Sequence, residues 1–297
     1  MNIKEIYDLN IGDIIENVDL SKYTTYKISG VGRILVIPKD IDCLKKLINY
    51  IKENNLKYKI IGNGSNLIFL NDFYDGILIK LDNFCGLDIN DSIVTVGAGY
   101  NLMKLALKCS VLGLSGLEFA TGIPGSVGGS VYMNAGAYNS DISNVLESAL
   151  ILTPDLNVVK FNNSDFIFSY RTSFLQSNPG YFCLAAQFKL VHGNKDDIME
   201  LVNSRRQRRF DTQPLEFPSA GSVFRNPTGD YAGRLIEEIG FKGKVVGGAQ
   251  VSTKHANFIV NIGGATGKDI CDLINSIKHD VKDRYGIELK VEQEIVE

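Results

Sequence analysis

Two hydrophobic periods run through this chain, and the places where one gives way to the other predict its elements. Residues 1–22 read as a short amphipathic helix and a lead. Tyr26-Lys27-Ile28-Ser29-Gly30 reads as a loop, and Arg33 to Pro38 as a strand. Over 41–54 the apolar residues Ile41, Leu44, Ile48 and Ile51 share one face, and Asp40 can cap the helix they predict. Strands are predicted at 56–61, 76–81 and 92–97. A helix over 101–112 carries Leu102, Leu105, Ala106, Cys109 and Leu112 and stops at Gly113. Further strands fall near 145–153, 157–161 and 181–191. A helix at 195–209 begins at Asn194 and ends in Arg205, Arg206, Arg208 and Arg209, a run that suits a solvated helix C-terminus. Pro214 and Pro218 then interrupt the pattern and suggest a domain boundary near 204–215. The last third reads as a strand through 221–224, a helix at 230–239 and a strand at 257–262. A helix at 267–285 between Thr266 and Gly286 and a final strand at 288–296 complete it.

Two stretches interrupt this regular text. Gly113 to Tyr138 holds seven of the 29 glycines, interleaved with Leu114, Leu117, Phe119, Ile123, Val127, Val131 and Met133. A flexible linker lacks such apolar anchors. The stretch is therefore a packed loop that offers backbone N–H groups to a phosphate-bearing ligand, or else a tight structural corner. Gly62-Asn63-Gly64-Ser65-Asn66, between apolar strands, is either a hairpin turn or a second anion-binding nest. No G-x-G-x-x-G follows a strand, which disfavours a Rossmann dinucleotide fold.

Composition narrows the classes. The 297 residues allow two domains or three small lobes, and 44% hydrophobic with 22% charged residues is ordinary for a soluble globular chain. A net charge of −3 gives no reason to expect nucleic acid or an anionic membrane as partner. The N-terminus lacks the apolar core of a signal peptide, and no apolar run approaches a bilayer span. Five cysteines, odd in number and never in a Cys-x-x-Cys pair, suggest reduced, mostly buried thiols in a cytosolic protein. The three histidines have no partner at metal-ligand spacing, so no metal is expected.

Seven motifs in a fixed order then resemble one family, the UDP-N-acetylenolpyruvoylglucosamine reductases. They are Thr24 to Gly30, Gly62 to Asn66, Gly113 to Tyr138, Tyr170 to Phe174, Pro218 to Pro227, Gly233 to Glu237 and Lys254 to Asn261. The resemblance implies an α+β fold: a two-lobed FAD-binding part of the vanillyl-alcohol-oxidase type, then a C-terminal α+β substrate-binding domain. In those terms residues 1–22 are a lead, 23–82 and 83–203 the two FAD-binding lobes, and 204–297 the substrate domain. The short spacings from Gly113 to Gly136 and from Tyr138 to Arg171 resemble the shorter family type. The inserted loop of the longer type, with its substrate-covering tyrosine, has no counterpart.

The implied reaction takes hydride from NADPH through FAD to C3 of a UDP-sugar enolpyruvyl ether, and a proton to C2. The implied cofactor-binding residues are Gly62, Asn63, Gly64, Ser65, Asn66, Thr121, Gly122, Pro124, Gly125, Ser126, Gly128, Gly129, Asn134, Ala135 and Gly136. Tyr170, Arg225, Asn226, Lys254 and His255 are implied to meet substrate, and Arg171, Ser222 and Glu292 to be catalytic. Glu292 competes with Glu294 for its role, because Gln293 departs from the family's usual ending of a glutamate, a valine and a basic residue. FAD is expected to be non-covalent, since no histidine precedes His192 and the glycine stretch has neither His nor Cys. The expected setting is cytoplasmic, with no nucleic acid, membrane insertion or required protein partner. The rival readings are a flavin oxidase of the same superfamily and a nucleotide-sugar-binding module that has lost catalysis.

Overall fold

The computed structural model describes residues 1–297. A four-stranded sheet orders Gly12–Asp19, Val31–Pro38, Phe73–Lys80 and Tyr58–Ile61. A five-stranded antiparallel sheet orders Val158–Asn162, Leu146–Leu152, Phe182–Lys189, Ile93–Gly97 and Leu87–Asn90. No helix is long and apolar enough to cross a membrane.

The chain divides into two compact units. The first comprises Met1–Ile15, Ile34–Asn63 and Gly76–Gln207; the second comprises Glu16–Arg33, Gly64–Asp75 and Arg208–Glu297. In the first, helix Ile41–Glu53 is started by Asp40, whose carboxylate accepts from the Cys43 N–H at 2.8 Å. Its stripe of Leu44, Leu47, Ile48 and Ile51 is buried against Ile34, Val36, Ile77 and Ile79. Each such side chain contributes about 1.5–3 kcal/mol by leaving water, well above what propensity or a cap supplies. Helix Leu102–Val111 buries Leu102, Leu105, Ala106 and Cys109 in the same core and is followed by left-handed Gly113.

The second unit has its own core, from Tyr26 and Ile28 through Phe224, Leu235 and Ile259 to Ile277 and Leu289. A three-stranded antiparallel sheet, Val245–Val246, Ala249–Val251 and Ile259–Asn261, carries helices Ala232–Glu238 and Gly267–Tyr285. The long helix starts with a capping box between Thr266 and Asp269 and ends at left-handed Gly286, on the predicted residues.

Several expectations are corrected. Residues 1–22 hold a helix only over Ile3–Asp8, followed by strand Gly12–Asp19. Residues 62–66 do not form a hairpin: Tyr58–Ile61 pairs in parallel with 77–80, while Leu67–Phe69 pairs in parallel with Glu294–Val296. The predicted strand at 221–224 reduces to one bridge, Phe224 to Val291, and the final strand to Glu294–Val296. The arginine-rich helix runs on to Thr212, so of the four arginines only Arg209 lies in its last turn. Arg206 and Arg208 are exposed, but Arg205 is half-buried with its guanidinium 4.9 Å above the Tyr138 ring. All five cysteines are free thiols. Three are buried, and burial pushes Cys109 up to about 11 and Cys183 up to about 12.

Candidate active site

In the first unit the glycine stretch folds back on the segment that precedes helix Leu102–Val111. Leu102 N–H donates to the Gly125 carbonyl at 3.0 Å, Val127 N–H to Tyr100 at 2.9 Å and Gly128 N–H to Ala98 at 2.8 Å. Ser126 then caps helix Val127–Met133, accepting from the Gly129 N–H at 3.3 Å. A Cβ on Gly62 would lie 2.5 Å from Ser126 Oγ, so the absence of a side chain at 62 lets the two loops touch. Pro124 and Gly129 stay exposed along this line, with Thr121, Gly122 and Asn63 half-buried. Thr121 turns its hydroxyl inward, to the Glu118 carbonyl at 2.8 Å.

Asn134 ends the short helix in the left-handed region, with φ +43°. It is 1% exposed, and both ends of its amide go to backbone: Nδ2 donates to the Ser169 carbonyl at 3.0 Å, and Oδ1 accepts from Ser143 N–H at 3.0 Å. Ala135 N–H donates to Ser130, and Gly136 pairs with Asp141. Ser169 to Thr172 is a tight turn closed by bonds in both directions between its ends, and Arg171 occupies it with φ +56°. A left-handed non-glycine residue costs of order 1–3 kcal/mol and persists only when its surroundings hold it. Here Gln176 Nε2 donates to the Arg171 carbonyl at 3.0 Å, and the guanidinium donates to the Gly136 carbonyl. That guanidinium also lies 5.0 Å from the centre of the half-exposed Tyr170 ring.

The second unit contains a cavity of about 360 Å³. Ser222, Asn226, Lys254 and His255 all line it, so four residues from two distant motifs meet there. Tyr231, Arg234, Glu237 and Lys242 join them. Only the Gly233–Glu237 motif pointed to any of these four in the sequence, and it assigned no role. Arg225 and Glu292 do not line the cavity. Its wall is pinned by side chains. Asn226 Oδ1 accepts from the Ala232 N–H at 3.1 Å, starting helix Ala232–Glu238. Buried Asn257 brackets Phe224, accepting from its N–H at 3.0 Å and donating to its carbonyl at 2.8 Å. Lys242 pairs with Glu237 at 2.8 Å, and Lys254 Nζ donates to the Phe210 carbonyl at 2.6 Å.

His255 Nδ1 accepts from the Asn257 N–H at 3.2 Å, and its ring packs edge-on to Phe258 at 4.8 Å. Burial, the largest influence, holds its pKa below the usual imidazole value, with the Lys242 charge acting the same way. At neutral pH His255 is thus an uncharged ring whose proton sits on Nε2. Beside this wall Glu292 N–H donates to Val223, next to Ser222, at 2.8 Å. Glu294 instead lies in the strand paired with Leu67. Asn66 joins the two, with Nδ2 donating to the Glu292 carbonyl at 3.1 Å and its own carbonyl accepting from Glu294 N–H at 2.8 Å.

The comparisons with known proteins agree along the whole chain. Residues 33–162 match the family model described as an FAD binding domain, and residues 213–296 match the C-terminal domain of UDP-N-acetylenolpyruvoylglucosamine reductase. The reductase of that name from Bacillus licheniformis is 48% identical over 99% of this chain and 97% of its own length. That from Bacillus subtilis is 44% identical over the same shares. The crystal structure of the Thermus caldophilus reductase superposes with a TM-score of 0.82 at 33% identity, covering 96% of this chain and 98% of its own. A Physcomitrella patens BBE-like protein shares the fold alone, at a TM-score of 0.50, 14% identity and 65% of this chain. The chain is accordingly an α+β protein, with a flavin-binding part of the vanillyl-alcohol-oxidase type followed by a reductase C-terminal domain, and it belongs to the UDP-N-acetylenolpyruvoylglucosamine reductase family.

Proposed function

We propose that this protein is the cytoplasmic NADPH-dependent oxidoreductase that converts UDP-N-acetylglucosamine enolpyruvate to UDP-N-acetylmuramate. The product feeds peptidoglycan assembly and, through it, cell shape and division. The observation that carries this reading is the convergence of Ser222, Asn226, Lys254 and His255 on one cavity within the stretch matched by the reductase C-terminal domain. The division into flavin lobes at 23–82 and 83–203 and a substrate domain at 204–297 is part of the same proposal.

The residues fit FAD. Gly62 and Ser126 bring two loops of small residues into contact, with accessible backbone at Asn63, Thr121, Gly122, Pro124 and Gly129 that suits a pyrophosphate. Gly62 to Asn66, Thr121, Gly122, Pro124, Gly125, Ser126, Gly128, Gly129, Ala135 and Gly136 would hold it, with Asn134 bracing the turn through its bonds to backbone. Bound there, FAD would relay hydride from NADPH to C3 of the enolpyruvyl ether. This chain's side chains do the rest. Hydride addition at C3 leaves the electron pair on C2, delocalised as enolate charge into the attached carboxylate, and the fixed fork of Arg171 matches that charge as it develops. Ser222 gives the proton to C2, and Glu292 acts beside it. Asn226, Lys254 and neutral His255 hold the diphosphate and sugar, with Tyr170 and Arg225 as further contacts.

The test is an absorbance spectrum of the purified protein, followed anaerobically by NADPH and then substrate. The yellow colour should bleach with NADPH and return with the enolpyruvyl ether. Acid denaturation should release all of it to the supernatant, as non-covalent FAD requires. A colourless protein, or colour restored only by oxygen, would overturn the reading.

A further inference from the structure

We infer that Gln293 is a positioning residue for Ser222, acting through the peptide planes on either side of Gly221; this rests on the reading above that Ser222 delivers the proton. Ser222 follows Gly221, which sits at φ +76° with open space where a Cβ would be. Glycine has the widest backbone freedom of any residue, so nothing intrinsic to this turn fixes the direction of the next side chain. Gln293 supplies that restraint. Its Nε2 donates to the Ala220 carbonyl at 3.0 Å and to the Gly221 carbonyl at 3.2 Å. Those carbonyls belong to the two peptide planes that rotate about Gly221, and one amide group grips both. Holding both planes fixes φ and ψ of Gly221 and therefore the direction in which Ser222 leaves the backbone.

The grip is itself fixed. Gln293 is 4% exposed, and its Oε1 accepts from the hydroxyl of fully buried Tyr26 at 3.0 Å. The amide cannot flip without facing its oxygen to two carbonyls and its nitrogen to a hydroxyl that then loses its acceptor. On the other side, Glu292 N–H donates to Val223 and Phe224 bridges to Val291, so the glutamine is carried on a segment already registered against the serine's neighbours. A general acid displaced by a fraction of an ångström loses rate without losing its chemistry.

The test is a cycle in the flavin-loaded enzyme. Gln293→Met keeps the bulk and removes the three bonds. It should retain flavin and normal bleaching by NADPH, while the return of colour on adding substrate slows about tenfold. Amide hydrogens of 220–223 should exchange faster in the variant. In a Ser222→Ala background the same change should slow colour return by less than about twofold, because the group being aimed is gone. Should Gln293→Met fail to fold, Tyr26→Phe removes only the anchoring hydroxyl and should give about a threefold effect with the same non-additivity. Slowing that multiplies in full on Ser222→Ala, or unchanged exchange at 220–223, overturns the inference alone. Wild-type colour return in Ser222→Ala itself overturns the proton-delivery reading and the inference with it.

Discussion

The glycine loops of the first unit, proposed to hold flavin, and the cavity of the second are built by opposite means. The loops work by leaving side chains out: Gly62 lies where any Cβ would press on Ser126 Oγ, and the bonds that hold Gly125, Val127 and Gly128 run between backbone groups. The cavity works by using side chains to hold its wall, as Asn257 does for the Phe224 backbone, Glu237 for Lys242 and Gln293 for the turn before Ser222. The first kind of site is expected to fail sterically, by losing its flavin. The second is expected to fail at Ser222 chemically, with the flavin still bound.

The largest effect expected from this contrast is at Ser222. Ser222→Ala should carry full flavin, bleach normally with NADPH and turn over about 10²–10⁴ more slowly, the usual loss of a general acid. Flavin loss in that variant would erase the distinction between the two regions. Arg171 sharpens it, because it belongs to the first unit yet is proposed to act through its side chain. Arg171→Ala should leave the NADPH step near normal and slow colour return by substrate about 10²–10³-fold, as when a donor to a developing oxyanion is removed. Equal damage to both steps would make Arg171 a structural residue of its left-handed turn.

A smaller effect separates packing from ligand approach at the loops. Gly62→Ala overpacks Ser126 by an amount worth about 1–3 kcal/mol, so flavin affinity should fall about tenfold with the rate per bound flavin unchanged. The built Cβ stands 3.5 Å from Ser126 Cβ, an ordinary contact. Adding Ser126→Ala should therefore recover much of the affinity, less the cap lost to the following helix, about 1 kcal/mol. No recovery in a flavin titration would mean that the ligand itself needs the space at residue 62.

What was legible in the sequence follows the same line between local and distant causes. Asp40, Asn194, Thr266 and Gly286 mark helix ends correctly because a cap is satisfied within a few residues. Of the two readings of the loop at 62–66 the hairpin turn fails, because Leu67–Phe69 pairs with Glu294–Val296 more than two hundred residues away. Asn134 and Gln293 show the limit for site residues. An amide gives no sign in sequence of whether it will face a ligand or bind distant backbone, and these two bind backbone at Ser143 and Ser169, and at Ala220 and Gly221. The motifs marked the serine and the lysine-histidine pair as site residues, but their shared cavity and the bonds of Gln293 to the turn before Ser222 became visible only when the chain was folded.

The smallest predicted effect concerns His255 and asks whether the cavity recognises its ligand by charge or by a neutral donor. Burial depresses the folded-state pKa of His255 below the ordinary imidazole value of about 6.5. Above the unfolded pKa the ring is neutral in both states. As pH falls through that value and on through the depressed folded pKa, the unfolded chain takes a proton that the folded ring refuses, and stability is lost. His255→Phe keeps an aromatic ring against Phe258 and cannot titrate, so the acid-side fall in melting temperature between pH 7 and 5 should become shallower. For binding, Nδ1 is already occupied by the Asn257 N–H, which leaves Nε2–H as a neutral donor. One such bond is worth about 0.5–1.5 kcal/mol, so His255→Phe should raise KM for the UDP-sugar about two- to tenfold and leave kcat unchanged. That increase should be the same at pH 7 and pH 8, where the wild-type ring carries no charge. An affinity that falls steeply in the wild type between pH 6 and 8, and not in the variant, would mean that an imidazolium binds the diphosphate; the second region would then recognise its ligand by charge at this position as well.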